Sequence, residues 1–267
     1  MKIHHFKRKK EQKQKITVLT CYDYPSARII AESKIDCVLV GDSVAMAVHG
    51  HASTITATME MMELHAAAVA RGLACQFLVV DLPFLCHKAS LEDTVKNVKR
   101  LFQAGAHAVK IEGADDNLFQ TMRHLVTAGV PVMGHIGLTP QSLHQLGGYV
   151  VQGKEKEQAE LLLQQALQLE KAGCFAIVLE CVPCEVAREI TNALKIPTIG
   201  IGAGAETDGQ VLVWHDMLGL QTEFKPKFVK HFLEGKEVLL NAINSYAEEV
   251  RQGQFPNLEH TFLAEVL

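Results

Sequence analysis

Four carboxylates occupy the same local setting in this chain, each directly after a short apolar run. Val38-Leu39-Val40 leads to Gly41-Asp42-Ser43, Phe77–Val80 to Asp81-Leu82-Pro83, Val109-Lys110-Ile111 to Glu112-Gly113, and Ile177-Val178-Leu179 to Glu180-Cys181-Val182-Pro183. A single acid after a strand often does no more than cap the next helix. Four such acids at equivalent strand ends converge on one mouth, where they would repel one another unless a cation sat among them. Carboxylate oxygens are hard donors, and three of them suit Mg²⁺, which leaves its other octahedral positions to water or substrate.

Lys110 belongs to the same setting. Strand residues two apart share a face, so Lys110 and Glu112 point one way and the apolar pair Val109 and Ile111 points the other, toward the helices. An ammonium inside the strand ends can bind an anionic substrate or stabilise an oxyanion; the alternative is an ion pair that only fills the interior. His135, after Val132-Met133-Gly134, also lies at a strand end and reads equally as a core histidine. Cys181 and Cys184 have C-x-x-C spacing without a second pair, so they read as inert thiols. Gly200–Ala205 fits G-x-G-x-x-A but lacks the first βα position and the later acid of a dinucleotide site; it reads as close backbone approach to a ligand. His4, His5, His49 and His51 show no metal-helix spacing.

Positioning these groups requires a repeated scaffold. Brief, uniformly apolar runs at Ile16–Cys21, Cys37–Val40, Phe77–Val80, Ala108–Ile111, Val132–Gly134, Ala176–Leu179, Thr198–Ile201 and Gln210–Val213 read as parallel strands buried on both faces. Amphipathic stretches separate them. Lys154–Ala172 carries one apolar stripe and stops at Gly173, and Ser90–Ala104 opens with an S-x-x-D start and stops at Gly105. Eight such units in this length predict an α/β fold, a closed (β/α)₈ TIM barrel, with an open sheet as the runner-up. No linker divides the chain, so residues 16–267 are expected to form one barrel domain, with C-terminal helices over 227–249.

The chain has 267 residues, 48% hydrophobic and 21% charged, which excludes disorder; no apolar stretch is long enough to span a membrane. Residues 16–21 are too short for a secretory apolar core. Seven scattered cysteines, an odd number, read as reduced thiols in the cytoplasm. Residues 1–15 form a basic arm carrying +6, which leaves −10 for the rest of a chain whose net charge is −4. Phe6 alone among Phe, Tyr and Trp falls within this segment and no recognised nucleic-acid module accompanies the lysines, so nucleic acid is not the expected partner. The arm reads as a helix docked on an acidic surface of its own chain or of another subunit.

The ordered motifs Thr20–Tyr24, Val40–Ser43, Gly50-His51 with Ser53-Thr54, Asp81–Phe84, Val109–Gly113, Gly134–Gln141, Leu179–Pro183, Ile199–Gly204 and Thr207–Gln210 running on to His215-Asp216 resemble ketopantoate hydroxymethyltransferases, from about Ile16 to Phe262. The resemblance implies a barrel of the phosphoenolpyruvate/pyruvate type assembled into a homodecamer. It implies Asp42, Asp81 and Glu112 as the Mg²⁺ site, Asp42, Ser43, Asp81 and Lys110 as oxo-acid contacts, Glu180 as proton acceptor, and His135 as a candidate helper. The implied reaction carries a one-carbon unit from 5,10-methylenetetrahydrofolate to 3-methyl-2-oxobutanoate, giving 2-dehydropantoate for pantothenate synthesis. Ala45 stands where the family has glycine, and Ser53–Thr58 lacks the family's proline. A Mg²⁺-dependent lyase or mutase on a similar barrel and a non-catalytic anion-binding barrel are the competing readings; the intact acidic set and the Glu180–Pro183 context weigh against both.

Overall fold

Each expected apolar run forms a strand: β1 (Ile16–Thr20), β2 (Cys37–Val40), β3 (Phe77–Asp81), β4 (Ala108–Glu112), β5 (Val132–Gly137), β6 (Ala176–Glu180), β7 (Thr198–Ile201) and β8 (Gly209–Leu212). Every strand pairs in parallel with the next, and β8 returns to β1, so the sheet closes into a barrel. The computed structural model describes residues 1–221 and 225–263. Four strands run past their apolar stretch because the polar residue that follows still takes part in the ladder. Asp81 is registered against Lys110, Glu112 against His135, and Gly137 against Glu180. The pairing itself therefore sets the reactive groups side by side at the carboxyl ends.

Alternate strand residues fill the interior. Val18, Leu39, Val79, Met133, Val178, Ile199 and Val211 belong to one buried cluster, each contributing roughly 1.5–3 kcal/mol by leaving water. The outward residues meet the helices. In the helix Leu91–Gln103, Ser90 accepts the Asp93 N–H as the expected cap and Val98 and Leu101 are buried. The helix Lys156–Ala172 starts two residues later than its pattern suggests, buries Leu162, Ala166 and Leu169, and ends on Gly173 at φ +98°.

The basic arm folds as the helix Ile3–Glu11. Phe6 is fully buried in the barrel cluster, with its ring edge-on to Phe77 and Phe175 at 5.3 and 4.9 Å. Lys9 pairs with Asp36 at 2.8 Å and Lys10 with Asp208 at 2.7 Å. The arm is thus a plug at the amino-terminal end of the barrel, and its charge is met by acids of its own chain.

The chain divides into two compact units, Met1–Trp214 and His215–Leu267. The first holds the whole barrel and its plug. In the second, the expected helix over 227–249 begins only at Gly235 and runs to Arg251. The Phe232 and Gly235 N–H groups bond the Met217 and Leu218 carbonyls, at 2.8 Å each, and so hold the preceding residues out of helical pairing. Among the described residues no helix is long and apolar enough to cross a membrane.

Candidate active site

A cavity of about 110 Å³ opens at the carboxyl ends of the strands, lined by Asp42, Ser43, Asp81, Lys110, Glu112, His135 and Glu180 together with Thr20, Thr54 and Val178. Every site residue expected from the sequence is at this one mouth. Gly41 is needed at its edge, because a Cβ there would lie 2.7 Å from Ser43 Oγ. Gly137, at φ +94°, is needed beside the Glu180 carbonyl, which any side chain would strike. The chain turns immediately after Glu180, where Cys181 takes a left-handed φ of +48°.

Lys110 is the positive centre of the mouth. Its Nζ lies 3.2 Å from Asp81 Oδ1, 3.4 Å from Glu112 Oε1 and 3.1 Å from His135 Nδ1. Burial alone would lower its pKa, but the carboxylates of Asp81, Glu112 and Asp42 override that and hold the ammonium above its usual range. Burial would likewise raise Glu112, yet Lys110, His135 and the Gln141 N–H bring it down to about 2. Asp42 goes the other way and is raised well above the carboxylate range by burial and by Glu112 and Asp81. Asp81 is raised as well, by burial and Glu112 against the pull of Lys110. One ammonium therefore does not neutralise this cluster.

His135 links two carboxylates: its Nδ1 is 3.2 Å from Glu112 Oε1 and its Nε2 is 3.2 Å from Glu180 Oε2. Burial and Lys110 disfavour its charge, but Glu112 and Glu180 raise its pKa to about 9. When neutral, its Nδ1 accepts from Lys110, since an ammonium only donates, and the ring proton sits on Nε2. When charged, both nitrogens carry protons. In either state Nε2 carries a proton and lies 3.2 Å from Glu180 Oε2, out of line for a direct hydrogen bond.

Gln141 and Tyr22 organise the mouth from outside the strands. Gln141 Nε2 donates to Asp42 Oδ2 at 2.8 Å and to the Leu82 carbonyl at 2.9 Å, and its backbone N–H donates to Glu112 Oε2 at 3.1 Å. Tyr22 Oη and Ser43 Oγ are hydrogen-bonded at 2.8 Å. The signal for both residues was membership in the motifs Gly134–Gln141 and Thr20–Tyr24, which marked the positions without giving them a task. The C-x-x-C thiols are not joined: Cys181 is pushed up to about 11 by burial and by Glu180, and Cys184 is exposed beside Glu185.

The donor set fits Mg²⁺ in chemistry and charge. Asp81 Oδ1 is buried with the Lys110 ammonium 3.2 Å away but without a well-directed hydrogen bond, and the raised Asp42 and Asp81 carboxyls express an excess of negative charge that a divalent cation relieves. Among the described residues no three His, Cys, Asp or Glu side chains are arranged to hold a metal ion between them as they stand. That is compatible with an ion held through a few carboxylates plus water and substrate oxygens instead of an all-protein cage.

Comparison with known proteins agrees with this geometry. The solved structure of 2,3-dimethylmalate lyase, a member of the phosphoenolpyruvate mutase/isocitrate lyase superfamily, matches with a TM-score of 0.62 at 18% identity, covering 96% of this chain and 89% of that one. Phosphonopyruvate hydrolase, solved in complex with oxalate and Mg²⁺, matches with a TM-score of 0.61 at 10% identity over 97% of this chain and 93% of that one. At such identities the likeness is one of fold, and it establishes the barrel type. The sequence relatives are far nearer. The 3-methyl-2-oxobutanoate hydroxymethyltransferase of Legionella pneumophila strain Philadelphia 1 is 70% identical over 262 residues, covering 98% of this chain and all of that protein. The enzyme of the same name from Bdellovibrio bacteriovorus is 52% identical over 257 residues, 96% of this chain and 97% of that one. The family model for ketopantoate hydroxymethyltransferase matches residues 1–258. Since that match takes in the plug, all eight strands and every group at the mouth, the chain belongs to the ketopantoate hydroxymethyltransferase family.

Proposed function

We propose that this chain transfers a hydroxymethyl group from 5,10-methylenetetrahydrofolate to C3 of 3-methyl-2-oxobutanoate, giving 2-dehydropantoate and tetrahydrofolate as a step of pantothenate biosynthesis. The observation that carries this reading is the placement of Glu180, with His135 behind it, on the same cavity as the Asp42, Asp81, Lys110 and Glu112 cluster. A base and an anion-stabilising cluster facing one small cavity are what proton removal beside a ketone requires.

Asp42, Asp81 and Glu112 are the residues to hold Mg²⁺, which when bound supplies a Lewis acid that polarises the substrate's keto oxygen. Lys110 holds the negative charge of the oxo acid and of the enolate that forms from it. Ser43, fixed by Tyr22, borders the same end of the cavity. Glu180 Oε2 takes the C3 proton, and the His135 ring, 3.2 Å from that carboxylate, sets the charge beside it. The electron pair left on C3 forms the new bond to the folate-derived methylene carbon. Both carbon–nitrogen bonds joining that carbon to the folate break, one replaced by the new carbon–carbon bond and the other by a bond to the oxygen of a water, while the proton taken from C3 and one from that water end on the two folate nitrogens.

The same reading places the enzyme in the cytoplasm, where its cysteines stay reduced, and assigns it a homodecamer. Val238, Leu239, Ile243, Tyr246 and Val250 on the helix Gly235–Arg251 are exposed large apolar side chains, a kind of surface that subunit contacts cover.

The test is exchange of the C3 hydrogen of 3-methyl-2-oxobutanoate in D₂O, followed by NMR with Mg²⁺ present. The folded protein is expected to catalyse exchange and Glu180→Gln to abolish it. If the folded wild type with metal and folate gives none, this function is wrong.

A further inference from the structure

Three hydroxyl side chains line the cavity, and the protein itself occupies two of them. Thr20 Oγ1 accepts the Trp214 N–H at 2.9 Å, and Ser43 Oγ is bonded to Tyr22 Oη at 2.8 Å. The third, Thr54 Oγ1, has no hydrogen-bond partner among the described residues, although Thr54 is only 3% exposed. A buried hydroxyl left without a partner is destabilising. No local contact explains its retention, because the turn around it is fixed by other groups: Ser53 Oγ accepts the Ile55 N–H at 3.1 Å, Thr56 Oγ1 donates to the Ser53 carbonyl at 3.0 Å, and the Ala57 N–H bonds the Thr54 carbonyl at 3.0 Å. The backbone is capped and bonded, and Thr54 lines the cavity with a buried hydroxyl that has no polar partner among the described residues.

The barrel order says which part of a substrate it meets. Thr54 lies in the loop after β2, and Glu180 ends β6; in a closed ring of eight strands these are diametrically opposed. With C3 of a 2-oxo acid presented to Glu180, the far end of that short molecule is its carboxylate, on the side of the β2 loop. A hydroxyl can donate to such an oxygen, and the cavity wall is otherwise rich in acceptors. We infer that Thr54 is a substrate-binding residue whose Oγ1–H donates to the carboxylate of the 2-oxo acid. This assignment rests on the proposed function for the identity of the acid and on the cavity for the position of the hydroxyl.

Thr54→Val removes the hydroxyl at nearly constant shape, and Thr54→Ser restores it. In Mg²⁺-loaded protein, titration calorimetry with 3-methyl-2-oxobutanoate is expected to show Thr54→Val binding more weakly by on the order of tenfold, as for the loss of one hydrogen bond to a charged group. In the exchange reaction the KM for the oxo acid should rise by a similar factor with kcat little changed, and in the complete transfer reaction the KM for the folate should not move. Thr54→Ser should recover most of the loss. The Tm of Thr54→Val should equal or exceed that of the wild type, since no intramolecular bond is removed. Unchanged oxo-acid affinity in Thr54→Val overturns the assignment, as does a lowered Tm with unchanged affinity, or a defect confined to the folate. Calorimetry reads the contact even if no exchange occurs, so failure of the reaction and failure of this contact are separable.

Discussion

His135 Nε2 stands 3.2 Å from Glu180 Oε2 across the junction of β5 and β6. The imidazole is 2% exposed, and its other nitrogen is tied to the Glu112 and Lys110 side of the mouth. Glu180 is thereby connected, through one ring, to the Glu112 and Lys110 cluster. Its orientation and the charge beside it are set by the barrel core and not by solvent.

His135→Gln should therefore slow proton removal without emptying the cavity. A decrease in the C3–H exchange rate of roughly tenfold to a hundredfold is expected, the scale seen when a supporting partner is lost, with the KM for the oxo acid nearly constant. Glu180→Gln should show no exchange. NMR in D₂O on the two variants separates a positioning role for His135 from a role as the base.

The same ring makes the stability of metal-free protein depend on pH. Its pKa is 6.5 in an ordinary setting and about 9 in the fold, so the folded state binds the proton more tightly. That contribution, on the order of 3 kcal/mol, is fully present below pH 6.5 and is lost as pH rises through about 9. Urea unfolding after chelator treatment should show this decline, and His135→Gln should flatten it.

Lys110→Met should unfold more readily than most core substitutions. It leaves Asp81 and Glu112 buried without the ammonium that offsets them, which costs about 3–5 kcal/mol when one partner of a buried pair is removed. Neutralising a carboxylate in the same chain, as in Lys110→Met with Asp81→Asn, should recover part of the loss. Urea midpoints of the single and double variants measure it; additive losses would show that the ammonium and the carboxylate do not interact.

The sequence carried the barrel because each βα unit writes a local signal: a short apolar run, a polar exit, then a capped helix. Asp42, Asp81, Glu112 and Glu180 were legible for the same reason, since Asp81, Glu112 and Glu180 end their strands and Asp42 follows β2 by two residues, all where the ladder ends. Lys110 followed from period-two alternation. Gln141 was not legible in the same way: its three bonds reach residues on or after β2, β3 and β4, and no local pattern records a contact 99 residues away in the chain. Thr54 was hidden for the opposite reason, because what distinguishes it is a bond it does not make. The late start of the helix at Gly235 depends on carbonyls of Met217 and Leu218, which helical periodicity does not contain.

Gln141→Leu keeps the volume of the side chain and removes its amide. Asp42 Oδ2 and the Leu82 carbonyl then lose their donor, while the backbone bond from residue 141 to Glu112 remains. Two buried acceptors without partners should cost about 2–4 kcal/mol. A freed Asp42 should weaken Mg²⁺ binding by about tenfold to a hundredfold, as for loss of a group that orients a metal-binding carboxylate. Calorimetric titration with Mg²⁺ and thermal unfolding check both, and Gln141→Glu, which places a like charge beside Asp42, should be worse than Gln141→Leu.

The arm offers a test at the other end of the barrel. Phe6 is fully buried against Phe77 and Phe175, where strands begin, whereas Glu180 and Lys110 lie where strands end. Phe6→Ala should cost about 3–5 kcal/mol, as for truncation of a buried aromatic ring, and lower the urea midpoint accordingly. Charge reversal at Lys10, which meets Asp208 at 2.7 Å with both side chains only about one-sixth exposed, should also destabilise, whereas reversal at Lys7, mostly exposed and 4.0 Å from Glu11, should not. Under conditions where each variant is folded, the exchange rate per molecule should match the wild type, because the layers of β-strand side chains between plug and mouth are unchanged. A folded Phe6→Ala protein with a reduced rate would mean that the plug tensions the strands and helps to set the spacing of the acids at their far ends.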